Sequence, residues 1–166
     1  MLALDERAFD QDMEGGWRRV AERPGCAAAA ADLIAAYREA QPDHTTLLYW
    51  HEGQLRAGEG QTEAAIALFE RSYEQGNIWN IDSGWNSYVD ATIAFLRRDM
   101  DGLKAARQKL AVLPPPEEQP DARPEAKTIK TRSWPPNLDV VDGLIHCFDR
   151  PYQIAYGEAC RSRKSE

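Results

Sequence analysis

The chain has little of several features that whole classes of protein require. Its three cysteines, Cys26, Cys147 and Cys160, show no close paired spacing, so the sequence predicts no disulfide framework and a reducing compartment. The Ala-rich run over residues 26–31, which no other apolar run exceeds, is far too short to span a bilayer. Because acidic residues follow Met1 almost at once, without a basic segment or an apolar core, we expect no signal peptide and a cytoplasmic location.

Positive charge is also in short supply. The chain carries 27 acidic and 20 basic residues, which leaves a net charge of -7. Nucleic-acid backbones bind to basic surfaces, so this balance argues against nucleic acid as a partner. Acid concentrates near the N-terminus, where we interpret it as a solvated helix face, with a docking patch for a basic partner as the alternative. The residues of this acidic cluster are Asp5, Glu6, Asp10, Asp12 and Glu14.

β-branched residues are sparse, and no stretch alternates apolar and polar residues as a half-buried strand does. Helix formers dominate, and 43% of the residues are hydrophobic, with five Trp and six Tyr available for a core. A length of 166 residues suits one domain. The sequence therefore predicts a single all-α domain over residues 1–166.

Proline and glycine divide the chain into helical segments. Pro24-Gly25 separates predicted helices over residues 5–22 and 26–40, and Pro42 ends the second helix. Prolines then accumulate between residues 114 and 136, and a loop of this length indicates function or disorder. The predicted segments are an N-terminal helix pair over 1–41, two pairs over 44–113, the Pro-rich loop over 114–136, and C-terminal helices over 137–160. The first of these C-terminal helices is predicted over 137–147, and a short one that includes Tyr156 follows Pro151.

An internal repeat relates residues 46–72 to residues 87–113 at an offset of 41. Each copy predicts a helical hairpin in which small residues lie where the two helices approach most closely. A large residue then points toward the next pair, and because one hairpin cannot bury its apolar face alone, the pairs must stack. The corresponding positions are Gly53 and Ala94, Ala65 and Ala106, and Phe69 and Leu110.

The first copy resembles the tetratricopeptide repeat (TPR), whose pattern includes Leu-Gly, Tyr and then Ala-x3-Phe. The match is best from Gly53 through Gly60 to Ala65 and Phe69. The sequence departs from the pattern with Glu52 in place of Leu and Arg56 in place of Tyr, and the offset of 41 exceeds the family's repeat of about 34. The resemblance implies a TPR-like α-solenoid of about three stacked helix pairs.

The same resemblance implies that the first helix of each pair lines a concave groove that binds a protein. Large aromatic residues anchor interfaces, although each of them has internal packing as its alternative role. The Trp-bearing loop over residues 77–86 is a further candidate contact. The predicted partner-binding residues are Trp50, Gln54, Trp79, Trp85, Tyr88, Phe95 and Arg98.

Catalytic and metal sites have little support in the sequence. His44 and His51 lie two helical turns apart without a nearby cysteine, whereas zinc ligands have tighter spacing. Asp139 and Asp142 are three residues apart on a predicted helix, where surface carboxylates are common. No phosphate loop or nucleophile elbow is present. We expect no metal, no cofactor and no catalysis.

The sequence therefore predicts a protein-binding helical-repeat module of the adaptor, chaperone or inhibitor type, with no membrane association. Its partner is another protein, and a basic one if the charge of -7 contributes to binding. One alternative is an enzyme or small-ligand receptor that uses His146 and Cys147. The other alternative is a structural subunit that forms a homodimer or a larger homo-oligomer.

Overall fold

A computed structural model describes residues 1–76, 83–115 and 134–161. The regular secondary structure of these residues is helical and includes no strand, which confirms the all-α class, and the helices pack in pairs. Most of the predicted Pro-rich loop lies outside the described residues, as does Trp79. After a π-helical turn at Arg7–Gln11, the helices are α1 (Arg18–Ala21), α2 (Ala27–Ala40), α3 (Leu47–Gly58), α4 (Thr62–Glu70), α5 (Trp85–Leu96), α6 (Met100–Ala111), α7 (Leu138–His146), α8 (Tyr152–Ala155) and α9 (Glu158–Arg161).

The chain divides into two compact units. The first unit comprises Met1–Tyr73 with Pro151–Gln153, and α2 packs against both α1 and α3, while α3 packs against α4. The second unit comprises Glu74–Arg150 with Ile154–Glu166, and α5 and α6 form a hairpin that packs against α7, which also contacts α9. One domain over residues 1–166 and the solenoid arrangement of the pairs stay predictions.

The α3–α4 hairpin depends on the close approach that the repeat predicts. A Cβ atom built on Gly53 would lie 2.7 Å from Cε1 of Phe69, so a glycine is needed for the two helices to pack at this distance. Ala65 and Phe69 are fully buried beside it. The Phe69 ring lies 4.6 Å from that of Trp50 within its own hairpin and 6.4 Å from that of Tyr152. That Phe69 points toward the next pair stays a prediction.

The α5–α6 hairpin repeats this organisation in the second unit. Gly84 precedes α5 with a φ of 85°, and a Cβ atom there would lie 2.4 Å from Leu110. Because that φ and that space exclude other side chains, the turn requires glycine. Asp99 caps α6 by accepting a hydrogen bond from the Gly102 amide at 2.9 Å. Ala106 and Leu110 are buried, as their counterparts in the first copy are.

The N-terminal segment does not form the single helix predicted over residues 5–22. The π-helical turn ends at Gln11, and α1 begins only at Arg18, because the chain reverses at Gly15-Gly16. Gly16 has a φ of 51°, and a Cβ atom there would lie 1.8 Å from the carbonyl oxygen of Phe9. The reversal lets the Trp17 amide donate to that same oxygen.

Two other predicted helices are confirmed to within a residue at each end. The helix predicted over 26–40 is α2, and the helix predicted over 137–147 is α7. The short helix after Pro151 is present as α8, although it ends at Ala155, before Tyr156. Among the described residues, no helix is long and apolar enough to cross a membrane.

Candidate functional site

The candidates in the first unit are Trp50 and Gln54, one helical turn apart on α3. Trp50 is 3% exposed, so its ring packs in the interior against Phe69. Gln54 is half-buried and reaches the surface. Trp50 therefore has the role of internal packing, which was the alternative for each aromatic candidate.

The candidates in the second unit lie along α5 and its C-terminal end. Trp85 stands in the first turn and is half-buried, and its ring meets that of Tyr88 edge-on at 6.0 Å. Tyr88 is 2% exposed, and its hydroxyl lies 3.2 Å from the hydroxyl of Tyr156. Phe95 is 1% exposed. The sequence pattern did not single out Tyr156, because its contact with Tyr88 spans 68 residues.

Arg98 follows α5 and holds the segment after α7 in place. Its φ of 57° is in the left-handed region, and its guanidinium lies 5.1 Å from the centre of the Phe95 ring and 5.9 Å from that of Phe148. The same group donates hydrogen bonds to the carbonyl oxygens of Phe148 and Arg150. Through these contacts, Arg98 stabilises the packing of the second unit.

A buried polar cluster in the first unit is a feature that the sequence patterns did not reveal. Asp10 is completely buried, although the acidic cluster that contains it was expected to be solvated. Its Oδ1 accepts a hydrogen bond from Trp17 Nε1 at 2.8 Å and lies 2.6 Å from Nδ1 of His51. Arg18 donates to the carbonyl oxygen of Asp10. The cluster therefore ties the N-terminal turn to α3, across 41 residues of sequence.

The environment of Asp10 favours its ionised form. Burial is the largest influence and raises the pKa of this carboxyl, but the hydrogen bonds and charge of His51, with hydrogen bonds from Trp17 and Gln11, outweigh it and lower the pKa below 3.8. Perturbed titratable groups concentrate at functional sites and also occur in structural ion-pair networks. Because Asp10 is completely buried, we assign this cluster a structural role.

A second charged network explains the two departures from the TPR pattern. Glu52 is buried and accepts hydrogen bonds from Arg38 of α2 and Arg56 of its own helix. Arg56 also donates to Asp32 at 2.7 Å. Burial lowers the pKa of Arg56, but its bonds to Asp32 and Glu52 outweigh that effect and raise it. Glu52 and Arg56, which depart from the TPR pattern, therefore pair with each other, and their bonds to Arg38 and Asp32 join α2 to α3.

The C-terminal residues of the enzyme alternative do not form a nucleophile and base. Cys147 is bonded to Cys160, with Cα atoms 5.9 Å apart, and His146 is exposed. The cysteine spacing predicted no disulfide framework, so this one bond corrects that interpretation, and the argument for a reducing compartment loses its support. The bond was missed because the turn that follows α7 brings the two cysteines together, and sequence spacing alone does not show that turn. Cys26 is a free cysteine.

The remaining acidic and histidine candidates are engaged in ordinary contacts. Asp142 accepts a hydrogen bond from Arg107 at 2.6 Å, and Asp139 lies 3.8 Å from Arg161. The His44 ring meets the Tyr49 ring edge-on at 5.1 Å. Within the three described stretches, no group of three or more His, Cys, Asp or Glu residues could hold a metal ion.

Comparison of the chain with protein-family models, with curated proteins and with solved structures finds no match.

Proposed function

We propose that this chain is a protein-binding module without catalysis of its own, built on TPR-like helix pairs, and that Trp85 anchors the partner. The observation that carries the proposal is the placement of Trp85. It is half-buried in the first turn of α5, where Gly84 fixes the start of the helix and Tyr88 supports the indole ring from the interior. A large aromatic side chain held in one orientation at the surface is typical of interface anchors.

The net charge indicates the kind of partner. A chain with a charge of -7 attracts basic proteins and accelerates their encounter. Most of the N-terminal acidic cluster contributes to this field, because Asp5, Asp12 and Glu14 are exposed even though Asp10 is not. The proposed partner is therefore a basic protein.

The experiment is an affinity pull-down from cell lysate with the tagged chain, read by mass spectrometry. We expect a stoichiometric basic partner with the unmodified chain, and about tenfold less of it with Trp85→Ala, because losing an anchor typically costs more than about 1 kcal/mol. Val112→Ser is the control, since it removes an exposed apolar side chain from the same unit and should leave capture unchanged.

Two results would contradict the proposal. The first is equal capture of the partner by Trp85→Ala and the unmodified chain, with both folded by circular dichroism. The second is a homodimer by light scattering as the only complex that forms, which would favour the structural-subunit alternative.

A further inference from the structure

The disulfide joins the end of α7 to the last described helix. Cys147 follows α7 directly and is half-buried, whereas Cys160 lies within α9 and is 6% exposed. The two residues are 13 apart in sequence. A reductant in solution therefore has better access to Cys147 than to Cys160, while the bond itself closes the C-terminal segment onto α7.

Besides this bond, α9 packs directly against α7. Arg161 lies 3.8 Å from Asp139, and because both side chains are partly exposed, such a pair stabilises the contact only weakly. Gly143 permits close approach, since a Cβ atom there would lie 3.1 Å from the Arg161 side chain. A helix of four residues is not stable by itself in water. The order of α9 therefore depends on the covalent link together with this packing against α7.

The same segment connects to α5. Arg161 donates two hydrogen bonds to the carbonyl oxygen of Tyr156, and its guanidinium lies 4.7 Å from the centre of the Tyr156 ring. Tyr156 in turn reaches the hydroxyl of Tyr88, which packs against Trp85. A release of α9 would therefore alter the support of the α5 aromatic residues.

We propose that Cys147–Cys160 is a reversible thiol–disulfide site, and that a dithiol reductant releases α9 from α7. One thiolate of the reductant attacks Sγ of Cys147, and Sγ of Cys160 leaves and takes up a proton. The second thiolate then attacks the reductant's own sulfur in the mixed disulfide, and Cys147 leaves as a thiol. Two electrons and two protons pass to the protein, and the dithiol becomes a cyclic disulfide. This proposal does not depend on the proposed function.

Thiol counting tests whether the site is accessible in the folded chain. The full-length protein is treated with dithiothreitol without denaturant, alkylated with iodoacetamide and weighed by mass spectrometry. We expect one alkylated cysteine, Cys26, before reduction and three after it. Three alkylated cysteines in protein purified without reductant would overturn the proposal, and so would a disulfide that resists reduction until denaturant is added.

Hydrogen exchange tests the structural consequence. We expect amides of α9 to exchange roughly tenfold faster or more after reduction and in the variant Cys147→Ser/Cys160→Ser, while α2 keeps its protection. Cys26→Ser is the matched control, because it removes the free cysteine, keeps the disulfide and should exchange like the oxidised chain. Unchanged exchange in α9, or loss of protection throughout the chain, would each overturn the proposal, the latter because the bond would then support the whole fold.

Discussion

Asp10 illustrates, at the scale of a residue, how an ionised side chain becomes part of a protein interior. Burial alone would favour the neutral acid, but Trp17 and His51 supply the hydrogen bonds and charge that keep the carboxylate ionised. Removing one member of such a cluster leaves the others buried without compensation, so the cost exceeds the net contribution of the intact pair. The stability of the first unit is therefore sensitive to substitutions in this cluster.

Replacing Asp10 with Asn tests this interpretation. At pH 7 we expect the free energy of unfolding to fall by about 3 kcal/mol, because His51 loses its charged partner in the interior. Urea denaturation measures this change in the free energy of unfolding. Asp43→Asn, which changes an exposed carboxylate in the same unit, is the control and should cost less than about 0.5 kcal/mol.

The unmodified chain and the Asp10→Asn variant also test a prediction about pH. Because the pKa of Asp10 is lower in the folded state than its ordinary value of 3.8, the ionised group contributes stability that is complete above that value. That contribution disappears as the pH falls through the folded-state pKa. The stability difference between the unmodified chain and Asp10→Asn should therefore shrink below pH 3.8. A difference that stays constant down to acid unfolding would show that ionisation of Asp10 is not involved.

Close helix packing decides stability at the scale of secondary-structure elements. In α3, Gly53 faces the Phe69 ring, whereas a Cβ atom built on Gly58, at the end of the same helix, would meet nothing within 4 Å. The two glycines therefore differ in their surroundings although they share a helix. Substituting each glycine in turn therefore separates the effect of helix propensity on stability from the effect of packing.

We expect opposite effects of alanine at these two glycines. Gly58→Ala should be neutral or stabilise the protein by up to about 1 kcal/mol, because alanine favours the helix. Gly53→Ala has the same intrinsic gain but forces the fully buried Phe69 ring to move, so we expect a net loss of about 1–2 kcal/mol. Thermal and urea unfolding measure both variants. Equal effects would mean that the α3–α4 distance is not set by Gly53.

The reversal before α1 gives a second matched pair. Gly16 and Gly25 both have positive φ angles, of 51° and 75°, but only Gly16 lies against another part of the chain. Gly25→Ala should cost about 1 kcal/mol, which is the strain of a left-handed conformation. Gly16→Ala adds the clash with the Phe9 carbonyl, so we expect a loss of at least about 3 kcal/mol and faster exchange of the N-terminal amides. Similar losses in the two variants would exclude the clash as the cause.

Net charge acts at the scale of the whole molecule. A rise in salt from about 0.1 to about 1 M shortens the Debye length from about 10 to about 3 Å. For a basic partner identified by pull-down, we expect the association rate to fall several-fold over this range while the dissociation rate changes little. Surface-based kinetics measure both rates. An association rate that is independent of salt would argue against attraction by the charge of -7.

The sequence alone determined the helical class, the position of α2 and α7, and the small residues at the α3–α4 contact. These features follow from helix propensity, breakers and periodicity, which act over a few neighbouring residues. The candidate site was less predictable. An aromatic residue on a helix face has the same pattern whether it is buried, as Trp50 and Tyr88 are, or half-buried at the surface, as Trp85 is.

Only the tertiary structure decided which polar and sulfur-bearing residues meet. Asp10 and His51 are 41 residues apart, and Cys147 and Cys160 are 13 apart with a turn between them. The chain reversal at Gly15-Gly16 also converts a predicted helix into a turn, because a glycine permits the backbone to approach the Phe9 carbonyl. Burial and pairing depend on distant parts of the chain, so local sequence patterns do not contain them.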